Sequence, residues 1–191
     1  MSNSLHDLGG SRKYLVPKER AAFIKAAQVG DPAFATFCLT LAITGARISE
    51  VLAIAAANID KGDEGIVFRT LKQRGKIKFR LVPIPKQLLR KLTDIEPKQA
   101  GGRLWNIGRT MAWLRVKEIM RDAGISEAQC MPKALRHGFA VEAVLKGVPL
   151  NILQRWMGHA RLETTSIYAA VLGEEERLLA HRTWKSLEGI I

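Results

Sequence analysis

Cysteine is scarce in this chain, long apolar runs are missing and acidic residues are outnumbered. Each shortage removes a class of protein. Only two of the 191 residues are cysteine, Cys38 and Cys130, and they stand in unrelated contexts. Cys38 lies within an apolar helical pattern, where a free thiol behaves as a small hydrophobe. The four histidines are scattered, and no Cys/His cluster has metal-ligand spacing. The expectation is a reduced, cytosolic protein without a structural metal. No apolar run reaches the roughly 18 residues that a membrane-crossing helix needs. The longest stretch, Phe34 to Ile43, carries Thr36 and Thr40 and reads as a core helix. The segment Met1 to Asp7 lacks the basic start and apolar centre of a secretion signal. Internal repeats and low-complexity segments are also absent.

What is abundant is positive charge. Thirty Lys and Arg against eighteen Asp and Glu give a net charge of +12 and a pI near 10.1. Such an excess suits a polyanionic partner, because each neutralised phosphate releases condensed counterions. A membrane surface is the rival partner, but no amphipathic helix combines a basic face with bulky apolar anchors. Apolar residues make up 47% of the chain, enough for a chain of this length to bury a core.

The order of patterns is mostly helical. Residues 1–15 are poor in apolar residues, contain Gly9 and Gly10, and read as a flexible arm. Helical spacing starts at Pro17, breaks at Gly30–Pro32, and resumes to Ile43. A further helix is expected from Arg47 to about Ala56. Residues 66–71 and 79–84 are rich in β-branched and aromatic types, which predicts a hairpin. Its loop, 72–78, is basic, with Lys72, Arg74, Lys76 and Lys78 as candidate DNA contacts. Helical pattern follows at 86–92, and Glu96–Gly102 reads as a surface loop. Further helices are expected at about 109–123, 133–146, 149–157 and 162–171. A last amphipathic stretch, 174–187, groups Leu178, Leu179 and Trp184. The fold class predicted is mainly α with a small antiparallel β-sheet (α+β).

Three segments stand out together. Thr44-Gly45-Ala46-Arg47 opens a helix with an arginine, and Glu50 follows three residues on, placed to hold the guanidinium. Lys133 and Arg136 are one helical turn apart and share a face, with His137 next to them. His159 follows Gly158, and Tyr168 comes nine residues later, after Thr164-Thr165. Singly these are an ordinary helix-start ion pair, a solvated basic face and a tyrosine near a chain end.

In this order they resemble the catalytic domain of the tyrosine recombinase (phage integrase) family. That pattern has an arginine after a Thr-Gly turn and before Ser-Glu, then a hairpin lysine. It continues with [His/Lys]-x-x-Arg-His, Leu-Gly-His and Thr-Thr-x-x-Tyr. The resemblance covers about residues 15 to 175 and is most specific from Arg136 to Tyr168. It implies attack by the Tyr168 hydroxyl on a DNA phosphodiester, leaving a 3′-phosphotyrosyl link and a free 5′-hydroxyl. The ester energy is retained, so rejoining needs no ATP. Arg47 and Arg136 match the family's two phosphate-binding arginines, whose planar forks stay charged and stand where other enzymes use metal ions. No cofactor and no metal are implied. By the same resemblance His159 donates a hydrogen bond to the phosphate. A hairpin lysine, Lys72 with Lys76 as the alternative, protonates the leaving oxygen. Lys133 stands where the family usually has a histidine proposed to help accept the tyrosine proton. An electrostatic role for Lys133 is favoured, because a lysine becomes a base only when burial or neighbouring cations lower its pKa. His137 and Trp156 read as packing and hydrogen-bonding residues.

The resemblance also frames the domains. Residues 16–173 match the catalytic domain, and the N-terminal core-binding domain of larger members is not expected within residues 1–15. The 174–191 segment is expected to be a C-terminal helix, either exchanged with a neighbouring subunit or folded back. Implied partners are double-stranded DNA, further copies forming a tetramer on paired sites, and an accessory DNA-binding protein, with no membrane. A cytoplasmic, nucleoid-associated protein encoded by a bacterium, phage or plasmid fits this reading. The alternatives are a non-catalytic DNA-binding regulator and a DNA-relaxing enzyme with the same tyrosine chemistry.

Overall fold

In the computed structural model the described residues are 5–7, 9–73, 76–95, 102–169 and 184, with the backbone alone for 70–73, 76 and 77. Helices α1 (Pro17–Ala27) and α2 (Pro32–Thr44) both begin on proline, whose missing N–H is not needed in a first turn. The Asp31 carboxylate caps α2 by accepting from the Phe34 N–H at 2.9 Å. Helix α2 is buried over most of its length and forms the central rod of the domain. Its threonines do not compromise that burial. The hydroxyls of Thr36, Thr40 and Thr44 each donate to the carbonyl four residues earlier, so no polar group is orphaned.

Gly45 ends α2 at φ +60°, a conformation that favours glycine. A Cβ there would also lie 2.3 Å from the Phe139 ring, so the turn before Arg47 is closed to larger residues. Helix α3 (Ile48–Leu52) is shorter than the expected 47–56. A 3₁₀ turn at Ala56–Asn58 leads instead into β1 (Ile59–Asp60), a strand too short to leave a sequence pattern. Strands β2 (Gly65–Gln73) and β3 (Lys76–Pro83) complete an antiparallel sheet in the order β1-β2-β3. The expected 72–78 loop is corrected here. Pairing continues to Gln73 opposite Lys76, with a register shift after Thr70. Lys72, Lys76 and Lys78 therefore lie in strands, and only positions 74 and 75 are left between them. Arg74 lies outside the described residues.

Helices α4 (Lys86–Thr93), α5 (Arg109–Asp122), α6 (Pro132–Leu145), α7 (Leu150–Met157) and α8 (Glu163–Ser166) follow. The main core joins α1 to α5 with the inner face of the sheet, where Ile66, Phe68 and Val82 are buried. A smaller cluster gathers Leu5, the far face of α6, Leu153 and Met157 of α7, and Tyr168. The described part of residues 1–15 is anchored at its two leucines, with His6, Asp7 and Gly9 to Ser11 exposed. Leu5 and Leu15 are buried, the Lys13 N–H donates to the Leu5 carbonyl at 2.7 Å, and the Leu15 N–H donates to the Ala134 carbonyl at 3.2 Å. Two apolar side chains among polar neighbours were enough to seat this segment on α6. The expected 174–191 helix lies outside the described residues, Trp184 excepted. Among the described residues no helix is long and apolar enough to cross a membrane.

Candidate active site

The turn at Gly45, the start of α6 and the end of α7 converge, and each contributes an arginine or a group that holds one. Arg136, on α6, is 8% exposed. Its Nη1 donates to the Gly45 carbonyl at 2.6 Å and its Nη2 to the Met157 carbonyl at 2.7 Å. The same Nη2 lies 3.0 Å from His159 Nε2. Burial, then repulsion from Arg47, pulls its pKa down to about 10, which leaves the guanidinium charged at neutral pH.

A guanidinium cannot accept a hydrogen bond, so Nε2 of His159 is the acceptor and its proton sits on Nδ1. Nδ1 in turn meets Thr165 Oγ1 at 2.9 Å. Burial, then the charges of Arg136 and Arg47, pushes the His159 pKa down to about 3. The imidazole is neutral here, and its inward nitrogen receives a hydrogen bond from Arg136.

Arg47 is held differently. Its backbone N–H donates to Glu50 Oε2 at 2.8 Å, and Nη1 reaches Glu50 Oε1 at 3.2 Å. Its side chain is 43% exposed, whereas that of Glu50 is 1% exposed. Glu50 is gripped from its other side by Arg80, whose Nη1 and Nη2 donate to the two carboxylate oxygens at 3.1 and 2.8 Å. Burial alone would raise the Glu50 pKa. The hydrogen bonds and charge of Arg80, with those of Arg47, outweigh burial and hold it below the ordinary value.

Arg80 was not foreseen as a site residue. It is 6% exposed, donates through Nε to the Trp156 carbonyl at 2.8 Å, and lies 5.0 Å over the Phe68 ring. A Cβ at Gly158, itself at φ +63°, would meet this guanidinium at 2.9 Å. One side chain thereby ties the Arg47–Glu50 turn to the segment carrying His159. Strand parity was the available signal: Val82 and Ile84 face inward, and Arg80 shares their side.

Tyr168 is 1% exposed. Its hydroxyl lies 2.7 Å from His137 Nδ1, and its ring stacks on that of His159 at 6.4 Å between centroids. Burial raises its pKa to about 12 against the opposing pull of Arg136 and Arg47. Burial, then the charges of Lys133, Arg136 and Lys13, pushes the His137 pKa down to about 4. Lys133 itself is exposed. Thr165, buried between His159 and the tyrosine turn, is a second residue that sequence reading missed. The Thr-Thr-x-x-Tyr string contained it without showing which threonine turned inward.

Arg47, Arg80, Arg136, His159, Glu50, His137 and Tyr168 thus form one connected group. Three guanidiniums face one carboxylate in it, a surplus of charge suited to an anion. Beside it, Lys78, Arg155, Gln154 and His159 line a cleft of about 280 Å³ between β3 and α7. The side chains of Lys72 and Lys76 lie outside the described residues.

The fold and this arrangement define a class of protein, and comparison with known proteins gives the same class. The Phage integrase family profile matches residues 13–175. The tyrosine recombinase XerD of Neisseria meningitidis serogroup A is 34% identical over 142 residues, covering 67% of this chain and 47% of that protein. The crystal structure of XerA recombinase superposes with a TM-score of 0.72 at 22% identity, over 89% of this chain and 64% of that one. XerH site-specific recombinase bound to difH substrate, in a pre-cleavage complex, gives 0.70 at 19% identity, over 85% and 55%. At these identities the two structures establish the fold. The chain belongs to the phage integrase family, the tyrosine recombinases. It spans about half the length of the curated relatives it matches.

Proposed function

We propose that residues 16–173 are the catalytic domain of a site-specific DNA recombinase that cuts and rejoins strands through Tyr168. The observation that carries this reading is the packing of Tyr168 against His159, whose Nε2 is bonded to Arg136. Residues that match the family's nucleophile, phosphate-binding arginine and histidine are thus neighbours, which supports the reading. Arg47 and Arg136 bind the non-bridging oxygens and stabilise the charge that grows on them in the transition state. His159 turns a proton toward the phosphate, a step favoured when the anion offsets the arginine charge around it. Tyr168 Oη attacks phosphorus, the P–O5′ bond breaks, and Lys72, or Lys76 in its place, protonates the departing oxygen. Lys133 adds positive charge at the rim. The phosphotyrosyl ester conserves the bond energy, so the step runs without ATP, and Arg47 and Arg136 supply the positive charge that a metal ion supplies in other phosphoryl-transfer enzymes.

Double-stranded DNA is the proposed partner, supported by the net charge of +12 and by the DNA-bound XerH neighbour. Four copies on paired sites, joined through residues 174–191, and an accessory DNA-binding protein complete the proposal, as does a cytoplasmic, nucleoid-associated location. The test is covalent trapping on nicked suicide duplexes in the presence of a chelator and without nucleotide. A denaturation-resistant adduct is expected. DNA binding without any adduct supports the non-catalytic regulator instead, and an adduct without exchange between two sites supports a relaxing enzyme.

A further inference from the structure

The family pattern places a histidine, proposed to help accept the tyrosine proton, three residues before the second arginine. Lys133 stands there in this chain and is exposed. A lysine ammonium has no lone pair with which to take a proton. The group that touches the Tyr168 hydroxyl is His137, four residues further along α6 and on the same helical face as Lys133. Its Nδ1 lies 2.7 Å from the hydroxyl oxygen, within the reach that proton transfer requires. Accepting Tyr168 as the nucleophile, we propose that His137 is the general base of strand cleavage, the role having moved along α6 from position 133 to position 137.

Two observations and one physical argument support this assignment. The ring of His137 is partly buried, and Lys133, Arg136 and Lys13 all bring positive charge to it. Together they keep the ring neutral at neutral pH, and in the tautomer protonated at Nε2 the Nδ1 lone pair accepts the tyrosine hydrogen bond and can receive its proton. The other imidazole against Tyr168 is already engaged, since His159 accepts from Arg136 and bonds to Thr165. It stacks on the tyrosine ring and has no hydrogen bond to its hydroxyl. Finally, the resting ring is only a weak base because cations surround it, and a phosphodiester drawn in by those cations offsets their charge. Basicity therefore rises when substrate is present.

The step balances. The Tyr168 oxygen bonds to phosphorus while its proton passes to His137 Nδ1, forming an imidazolium. The P–O5′ bond breaks, and the departing oxygen takes a proton from the hairpin lysine. In rejoining, the 5′-hydroxyl returns its proton to the hairpin lysine as its oxygen bonds to phosphorus, the P–O bond to Tyr168 breaks, and the imidazolium returns its proton to the departing tyrosine oxygen.

The experiment measures single-turnover adduct formation by the full chain on a pool of nicked duplexes of randomised sequence. Wild type is compared with Tyr168→Phe, His137→Ala, His137→Gln and Lys133→Ala, and DNA binding is measured in parallel. His137→Ala and His137→Gln are both expected to slow adduct formation about 10²–10³-fold, with binding retained and with rescue of the alanine variant by added imidazole. Lys133→Ala is expected to lose less than about tenfold, as for one peripheral charge. A glutamine can accept the tyrosine hydrogen bond but cannot hold its proton, so a His137→Gln rate near wild type would overturn the proposal and leave a positioning role. A faster His137→Ala would overturn it in favour of a latch, and absence of imidazole rescue would also overturn it. If wild type itself forms no adduct, Tyr168 as nucleophile is what fails.

Discussion

The two arginines proposed to bind phosphate occupy opposite environments within one site. Arg136 is buried and held on several sides, its guanidinium bonded to two backbone carbonyls and to His159. Arg47 is nearly half exposed and has one guanidinium contact, to Glu50 at 3.2 Å. Arg136 fixes the geometry of the site and holds three chain segments together, whereas Arg47 adds charge at the open side. Arg47 depends for its placement on Glu50, and Glu50 depends on Arg80. The difference teaches that a shared chemical role does not imply a shared structural one, and that the buried arginines carry the stability.

The comparison can be broken most forcefully at Arg80. Arg80→Ala leaves the Glu50 carboxylate buried without its bidentate partner, and a loss of about 3–5 kcal/mol in urea unfolding is expected. A loss below about 1 kcal/mol would mean that Glu50 is not held as described. Arg136→Ala comes next. It orphans the Gly45 and Met157 carbonyls and is expected to cost about 2–4 kcal/mol, with adduct formation lost as well.

Acidification sharpens the same contrast. The partly buried imidazoles of His137 and His159 have pKa values lowered to about 4 and about 3, while an unfolded histidine titrates near pH 6.5. Between those values the unfolded chain binds more protons, so stability is full above about pH 6.5 and falls as pH drops toward about 4. A loss on the order of 1–2 kcal/mol per histidine by pH 5 is expected in denaturation curves taken across that range. His137→Gln should remove about half of that slope. Smallest in stability is Arg47→Ala, expected to move the unfolding midpoint by less than about 1 kcal/mol. It should nonetheless slow adduct formation about 10²–10³-fold. A large stability loss in Arg47→Ala would erase the distinction between the two arginines.

Much of this was legible in the sequence because the signals are local. Proline marks the starts of α1, α2 and α6, and Gly45 and Gly158 mark turns that Phe139 and Arg80 leave too tight for a side chain. The order of Arg47, Arg136, His159 and Tyr168 could be read directly. The rest depends on contacts between distant segments. Arg80 sits in a run that reads as a hairpin strand, and its burial comes from Glu50 and Trp156, 30 and 76 residues away in sequence. His137 looked like a packing residue until Tyr168, 31 residues on, was seen at its Nδ1. The basic 72–78 segment looked like a loop because its charge hid a strand pairing that runs on to Gln73 and Lys76.

The central claim is that Tyr168 becomes covalently joined to DNA. The chain has two tyrosines, Tyr14 and Tyr168, so proteolysis of a trapped protein–DNA adduct followed by mass spectrometry distinguishes them outright. The account predicts a nucleotide remnant on the Tyr168 peptide and an unmodified Tyr14 peptide. A remnant on any other residue, or DNA bound with Tyr168 unmodified throughout, would contradict it.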